Sequence, residues 1–433
     1  MESKSISSII DDEYAEFSMY VVENRAIASV VDGLKPSQRK ILYVALKTAK
    51  NQKQKVAAIA ANAASMANYN HGEASAQDAC VGMAAQYNNN LPLLEEHGSF
   101  GSRLIQESAA PRYIFSRVSE NFEKYFKDSE VCPKNSDPDN PEPQHYLPLI
   151  PWVLVNGVKG IAVGFATDIM PRDPNDLAKV MRCLASGKTS HNPLTPKYPD
   201  FSGTVSHVQD NQYEIKGVVT NDKLKYHITE VPYGYDREKY VSILDKLEED
   251  NKIVSYVDSC DESGFNFTVK VTREQKKKAE EDPHAYFKLV KKHSENLTTL
   301  DENGKLKVFE TVHDLVQYFY SYRVKKAGEF VEFKRQQLAQ EIRFIEDKIS
   351  FITDIVDGAI EISKMKKADV LDYIKDRITN EEYGKSFVNL PIYTMTQEEI
   401  DSLNSNLDSK KAELVWWENA TAESYYLGQL KEI

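Results

Sequence analysis

The sequence predicts a multidomain α+β protein, and three observations carry that reading. At 433 residues the chain is two to four times the length of a typical domain. Helical periodicity dominates to about residue 130, and the stretch after residue 200 alternates strand-like runs with helix. From about Val312 the chain reads as helix to its end, with apolar residues at coiled-coil spacing. Hydrophobic residues at 41% and aromatics at 10% supply several cores, which excludes general disorder.

The N-terminal stretch has no apolar run behind a basic start, so no signal peptide is expected. No run of about 18 apolar residues predicts a membrane span. Cys80, Cys132, Cys183 and Cys260 form no CxxC pair, which excludes a zinc cage or a disulfide framework. The expectation is a soluble cytoplasmic protein of a reducing compartment, with no membrane partner.

Pro36 suits a first helical position, and Pro36–Lys50 keeps helical spacing. Ile41, Leu42, Ala45, Leu46 and Ala49 share one face, and Lys40, Tyr43, Lys47 and Lys50 share the opposite stripe. A second helix is expected at Val56–Asn68. A break at Asn70-His71-Gly72 precedes a third, with Ala79, Cys80, Met83, Ala84 and Tyr87 inward. Helix, glycine turn and helix beside a basic stretch is a helix-turn-helix arrangement.

The Pro-rich stretch 133–143 reads as a loop and boundary. Strands are expected at Val205–His207, Tyr213–Val219, Lys225–Val231, Ile253–Val257 and Phe265–Val271, with a helix at Arg237–Glu248 and turns at Asp210-Asn211 and Asn221-Asp222. Leu338, Ile342, Ile345, Ile349 and Ile352 form a heptad seam. Ile400, Leu403, Leu407, Leu414 and Trp417 return in the same register, broken once at Lys410. Two long antiparallel helices with a small helical insert near Gly358–Leu390 are the expected outcome.

The net charge of −12 argues against a polyanionic partner until its distribution is considered. Arg25–Lys55 holds eight basic residues and one acid, Asp32. A local charge of +7 is a focused patch of the kind that attracts phosphates. Gly187-Lys188-Thr189 lacks the preceding glycine of a phosphate-binding loop, so no ATP site is expected. Asp137 and Asp139 lie in the Pro-rich loop without a third ligand, and no metal site is expected either. In Gln106–Asn121, Tyr113 follows Arg112, with Arg103 and Arg117 nearby. A phenol with its ordinary pKa of about 10 is a poor nucleophile unless cations stabilise the phenolate and the charge developing at phosphorus.

Five motifs carry a resemblance over nearly the whole chain. Asp32-Gly33-Leu34-Lys35-Pro36-Ser37-Gln38-Arg39-Lys40 resembles the DGLKPxQRK signature of the DNA breakage–reunion subunit of type IIA topoisomerases. Tyr69-Asn70-His71-Gly72-Glu73 resembles that family's YHHGE element, and Gly98–Arg103 its GxFG(S/T)R segment. Ala109-Ala110-Pro111-Arg112-Tyr113 resembles the AAxRY motif of the active-site tyrosine. Tyr146–Gly164 resembles the LPxIPxxLVNGxxGIAxG stretch. The short chain is most similar to the bacteriophage members, which places it in host cytoplasm.

The resemblance implies that Tyr113 attacks a DNA phosphodiester and that Arg112 contacts the scissile phosphate, supported by Arg25, Arg39 and His71. Lys35, Lys40 and Lys47 are the expected contacts to backbone phosphates, Lys47 through the basic stripe. Ile161 matches a wedge between base pairs, against the plain alternative of a buried strand residue. Asn70 replaces a first histidine, and Ala74 a serine that helps bind quinolones. The implied layout is a winged-helix domain over residues 1–145, an α/β tower over 146–315, and a coiled coil with a dimerising gate over 316–433. ATP and Mg²⁺ are expected on a partner subunit carrying the ATPase and TOPRIM parts, with duplex DNA and a second copy of the chain as further partners. A non-catalytic DNA-binding clamp is the alternative, and the Arg112-Tyr113 pair favours the enzyme.

Overall fold

The computed structural model describes residues 13–190, 192–361, 364–366, 369–370, 372–374, 387 and 389–433. The chain divides into two compact units, one running to Arg323 and including Gln429–Ile433, the other Val324–Gly428.

The first unit begins with three mutually packed helices, Pro36–Thr48, Val56–Ala67 and Glu73–Ala84. Pro36 opens the first, where a missing N–H costs nothing, and the Lys35 amide donates to Gln38 Oε1 at 2.9 Å. Ile41, Leu42, Ala45 and Ala49 are buried as their spacing predicts, and Val44 joins them. Asn68, in the left-handed region at φ 49°, ends the second helix. In the third helix Cys80, Met83 and Ala84 are buried, with Ala76 in place of the half-buried Ala79.

A three-stranded antiparallel sheet accompanies these helices. Phe115–Val118 is central, paired with Gln54–Lys55 on one side and Leu94–His97 on the other. Two- to four-residue strands carry too little alternation to be seen in sequence. The Asp32-Gly33 turn packs directly on the Trp152–Val155 turn of helix. Gly33 has φ +67°, and a Cβ there would lie 2.4 Å from the Val153 amide nitrogen, so only glycine fits.

A four-stranded antiparallel sheet runs Ser255–Asp258, Phe267–Lys270, Lys225–Glu230, Val218–Asp222. The Arg237–Glu249 helix covers one face, burying Tyr240, Leu244 and Leu247 against Tyr226, Ile228, Phe267 and Val269. A three-stranded sheet joins Val290–Ser294, Gln212–Lys216 and Thr204–Gln209. Beside it Arg172 and Glu295 form a fully buried ion pair at 2.5 and 2.6 Å. Arg172 also donates to the Met170 and Leu194 carbonyls. Asp128 accepts from Arg323 at 2.5 Å and from Gln429 at 2.9 Å, which ties the last residues of the chain into this unit.

The second unit is built on the helix Val312–Val356, which enters it from the first, and on Gln397–Asn419. The two run antiparallel, as the ion pairs Lys348–Glu399, Lys411–Glu346 and Lys410–Glu341 show. Ile342, Ile345 and Ile352 interlock with Ile400, Leu403 and Leu407, and Ile349 and Leu414 pack at the margin. Lys410, the break in the register, answers Glu341 at 2.8 Å. Phe351, Ile360, Val370, Ile374 and Phe387 form a separate cluster at the insert. The rest of that insert, including 375–386, lies outside the described residues. Among the described residues no helix is long and apolar enough to cross a membrane.

Candidate functional site

Tyr113 lies on a loop fastened at both ends. The Val56 amide donates to the Ile114 carbonyl at 3.1 Å and the Ala57 amide to the Pro111 carbonyl at 3.2 Å. These bonds use two N–H groups that the start of a helix leaves without partners. The Tyr113 amide donates to the Ala110 carbonyl at 2.8 Å, closing a turn. Ile114 and Val118 are buried, while Tyr113 is 68% exposed. The guanidinium of Arg112 sits 5.0 Å from the centre of the tyrosine ring. An exposed phenol beside an exposed cation is an arrangement that favours approach of an anionic ester.

A second cluster lies around Tyr69. His71 packs edge-on against its ring at 5.6 Å. Burial raises the Tyr69 pKa, and the positive charge of Arg25 acts against that shift. Gly72 then opens the Glu73–Ala84 helix, so His71 stands just ahead of a helix N-terminus.

The remaining expected cations do not share one surface. Arg39 is buried, holding Asp32 through Nε at 2.7 Å and Nη2 at 3.0 Å, and donating to the Leu34 carbonyl. Asp32 also accepts from the Tyr146 amide, so Arg39 braces the loop and does not face solvent. Lys40, expected on the outward stripe, turns inward to Glu142 at 2.8 Å, the Ala67 carbonyl and Asn140. Its charge is answered within the fold. Lys35 is half-buried and donates to the Lys159 carbonyl at 2.7 Å. Arg103 is buried against Glu230 at 2.7 Å, and Arg117 pairs with Glu95 at 2.5 Å. Lys47 remains exposed, 4.5 Å from the Tyr43 ring centre. Neutralising Lys47 is therefore expected to lower the salt-dependence slope of DNA binding by about one unit. Lys40→Gln is expected to lower thermal stability, because it strands the buried Glu142. An unchanged slope for Lys47→Gln in a salt titration sinks the first expectation.

Ile161 ends one strand of the hairpin Val158–Ile161/Ala166–Ile169. It is 79% exposed, so the buried-strand alternative does not describe it. Val163 and Phe165 are also exposed at the same tip. Sequence reasoning misses these two, because Ile161-Ala162-Val163 looks like a core strand. The available signal is Gly157 and Gly164 bracketing it, which marks a hairpin end.

The family model for the A-type component of DNA gyrase/topoisomerase IV matches residues 25–431. The chain belongs to that family. Among similar proteins of the gyrase/topoisomerase IV group and its relatives, the DNA topoisomerase medium subunit of Enterobacteria phage T4 is 38% identical over 442 residues, covering 100% of this chain and 99% of the phage protein. The mitochondrial DNA topoisomerase 2 of Dictyostelium discoideum is 29% identical, covering 98% of this chain. The chain spans 34% of that longer protein. The crystal structure of the Plasmodium falciparum topoisomerase II DNA-binding, cleavage and re-ligation domain matches with TM-score 0.86 and 27% identity, over 97% of this chain and 62% of that one. By family the chain is thus the breakage–reunion subunit of a type II DNA topoisomerase.

Proposed function

We propose that Tyr113 is the nucleophile with which this subunit opens duplex DNA. The carrying observation is an exposed tyrosine on a loop pinned at Val56 and Ala57, with the Arg112 guanidinium against its ring. The Tyr113 oxygen attacks phosphorus and forms a 5′-phosphotyrosine, and the bond to the 3′ oxygen breaks. The phenol gives up a proton and the departing 3′-hydroxyl gains one, so no water is consumed and the ester energy is retained for rejoining. Arg112, Arg25 and His71 hold the phosphate. Lys47 and Lys35 contact the backbone on either side. Arg39 and Lys40 act as positioning residues, holding the Asp32 loop and the end of the Val56–Ala67 helix.

In this reading the helices with their three-stranded sheet form a winged-helix domain over residues 1–145. Residues 146–315 form the tower, and 316–433 a coiled coil with a gate that pairs two copies of the chain. Strand passage requires a partner subunit with the ATPase and TOPRIM parts, on which ATP and Mg²⁺ are bound. Among the described residues no three His, Cys, Asp or Glu side chains converge as a cation site. Mg²⁺ there supplies charge neutralisation at the phosphate worth several kcal/mol.

The test is denaturant trapping with plasmid, the partner subunit, Mg²⁺ and ATP. This chain is expected to become attached to 5′ ends, and the chain alone to bind DNA without cutting it. Failure to capture any 5′ end with the partner present sinks the reading in favour of a non-catalytic clamp. Ile161 gives a separate check. Ile161→Ala is expected to reduce DNA bending, read by energy transfer, with stability within about 0.5 kcal/mol of the parent because the residue is exposed. A normal bend counts against the wedge.

A further inference from the structure

A cleft of about 440 Å³ in the first unit is lined by none of Tyr113, Arg112, Arg25 and His71, and of the DNA contacts proposed above it shares Lys35. It is walled by the Lys35 end of the first helix, the Gly82–Asn89 stretch, the base of the 158–169 hairpin, and the strand carrying Lys291 and His293. Three lysines line it, Lys35, Lys159 and Lys291, with His293 beside them. Asp168 is the one acid among the lining residues.

The ammonium groups are only partly satisfied by the fold. Lys35 spends one donor on the Lys159 carbonyl at 2.7 Å, and Lys291 one on the Tyr233 carbonyl at 3.1 Å. Lys159 reaches Asp168 at 3.3 Å, and His293 reaches the other oxygen of Asp168 at 3.2 Å. An ammonium carries three donors, so each lysine has donors left for a ligand. Burial holds the Lys291 ammonium below the usual lysine range, and repulsion from Lys239 and Lys159 adds to this. Burial also lowers Lys35. Like charges gathered in a partly desolvated cleft are relieved by an anion placed among them.

We propose that this cleft binds a compact polyphosphate anion, with room for one attached nucleoside. The volume lies in the range of small-molecule sites. The lysines come from three separated segments, which is why no phosphate-binding loop marks the site in sequence. A ligand there bridges the start of the Pro36–Thr48 helix to the hairpin whose tip is Ile161.

The test is calorimetric titration of the full chain, alone and in complex with the partner subunit, using inorganic tripolyphosphate and ATP without Mg²⁺. Saturable binding is expected, weakened about tenfold by Lys291→Gln and restored by Lys291→Arg. Gly82 sits in a helix and lines the cleft, and a Cβ there meets nothing within 4 Å. Gly82→Leu is therefore expected to fold normally and to block binding by filling the space. Tighter binding of ATP than of tripolyphosphate assigns the remaining volume to the nucleoside. Equal binding assigns the site to the phosphates alone. Absence of saturable binding, or equal binding by all variants, overturns the proposal. Displacement by a short duplex, with Lys291→Gln weakening duplex binding equally, overturns it too, because the cleft then belongs to the DNA path. Capture of 5′ ends through Tyr113 is read in parallel and stands or falls separately.

Discussion

Tyr113→Phe is expected to abolish covalent capture of 5′ ends and strand passage, with turnover down by about 10⁴-fold or more, to the assay floor. Folding and non-covalent DNA binding stay at the parent level. The change deletes one oxygen from a side chain that is 68% exposed and makes no packing contact that needs it. Both halves of the result matter, since a misfolded variant also loses activity. Equal melting temperature and equal DNA affinity, measured beside the trapping assay, separate the two. Retained adducts would falsify the assignment and require another tyrosine. Tyr125 is a poor substitute: it is buried against Trp152, and burial pushes its phenol up.

Arg172→Met is expected to lower stability by about 3–5 kcal/mol, because it leaves the Glu295 carboxylate buried without its cation. The same substitution removes donors from the Met170 and Leu194 carbonyls. Chemical denaturation of the purified chain reads the loss. Replacing both partners, Arg172→Met with Glu295→Leu, recovers much of it, since an apolar pair carries no stranded charge. If the single variant is as stable as the parent, the pair is not buried in solution. Lost DNA cleavage with unchanged stability would instead place Arg172 at the chemistry.

The sequence shows the long elements well and the short ones poorly. The Pro36, Val56 and Arg237 helices begin where their spacing places them; Pro36 fixes the first start, and the Asp236 carboxylate, which accepts from the Lys239 amide, fixes the third. One expected strand, Tyr213–Val219, is two strands. Gly217 divides them, and a Cβ there would meet the Glu230 carbonyl oxygen at 2.3 Å. The turn expected at Asn221-Asp222 falls one or two residues later, with Lys223 at φ 58°. At the site, Tyr113 and Ile161 stand out as candidates because several motifs in order carry more information than any one residue, and both side chains are exposed. The inward turn of Lys40 and the burial of Arg39 are not. Helical spacing puts Lys40 on the solvent stripe, and its partners Asn140 and Glu142 lie about a hundred residues away. Arg172 and Glu295, 123 residues apart, are equally invisible to local pattern.

The meeting of Asp128 with Arg323 and Gln429 has a consequence for biosynthesis. The first unit is discontinuous in the chain, and its final hydrogen bonds need residues beyond the second unit. A ribosome emits Asp128 and Arg323 early, but Gln429 only after Val324–Gly428 has been made. The helical excursion thus has time to collapse on itself, driven by contacts local to its own hairpin, before the first unit can close around Asp128. Until then Asp128 has its arginine but not its amide partner. Completion of the nascent first unit therefore waits until Gln429 has left the tunnel.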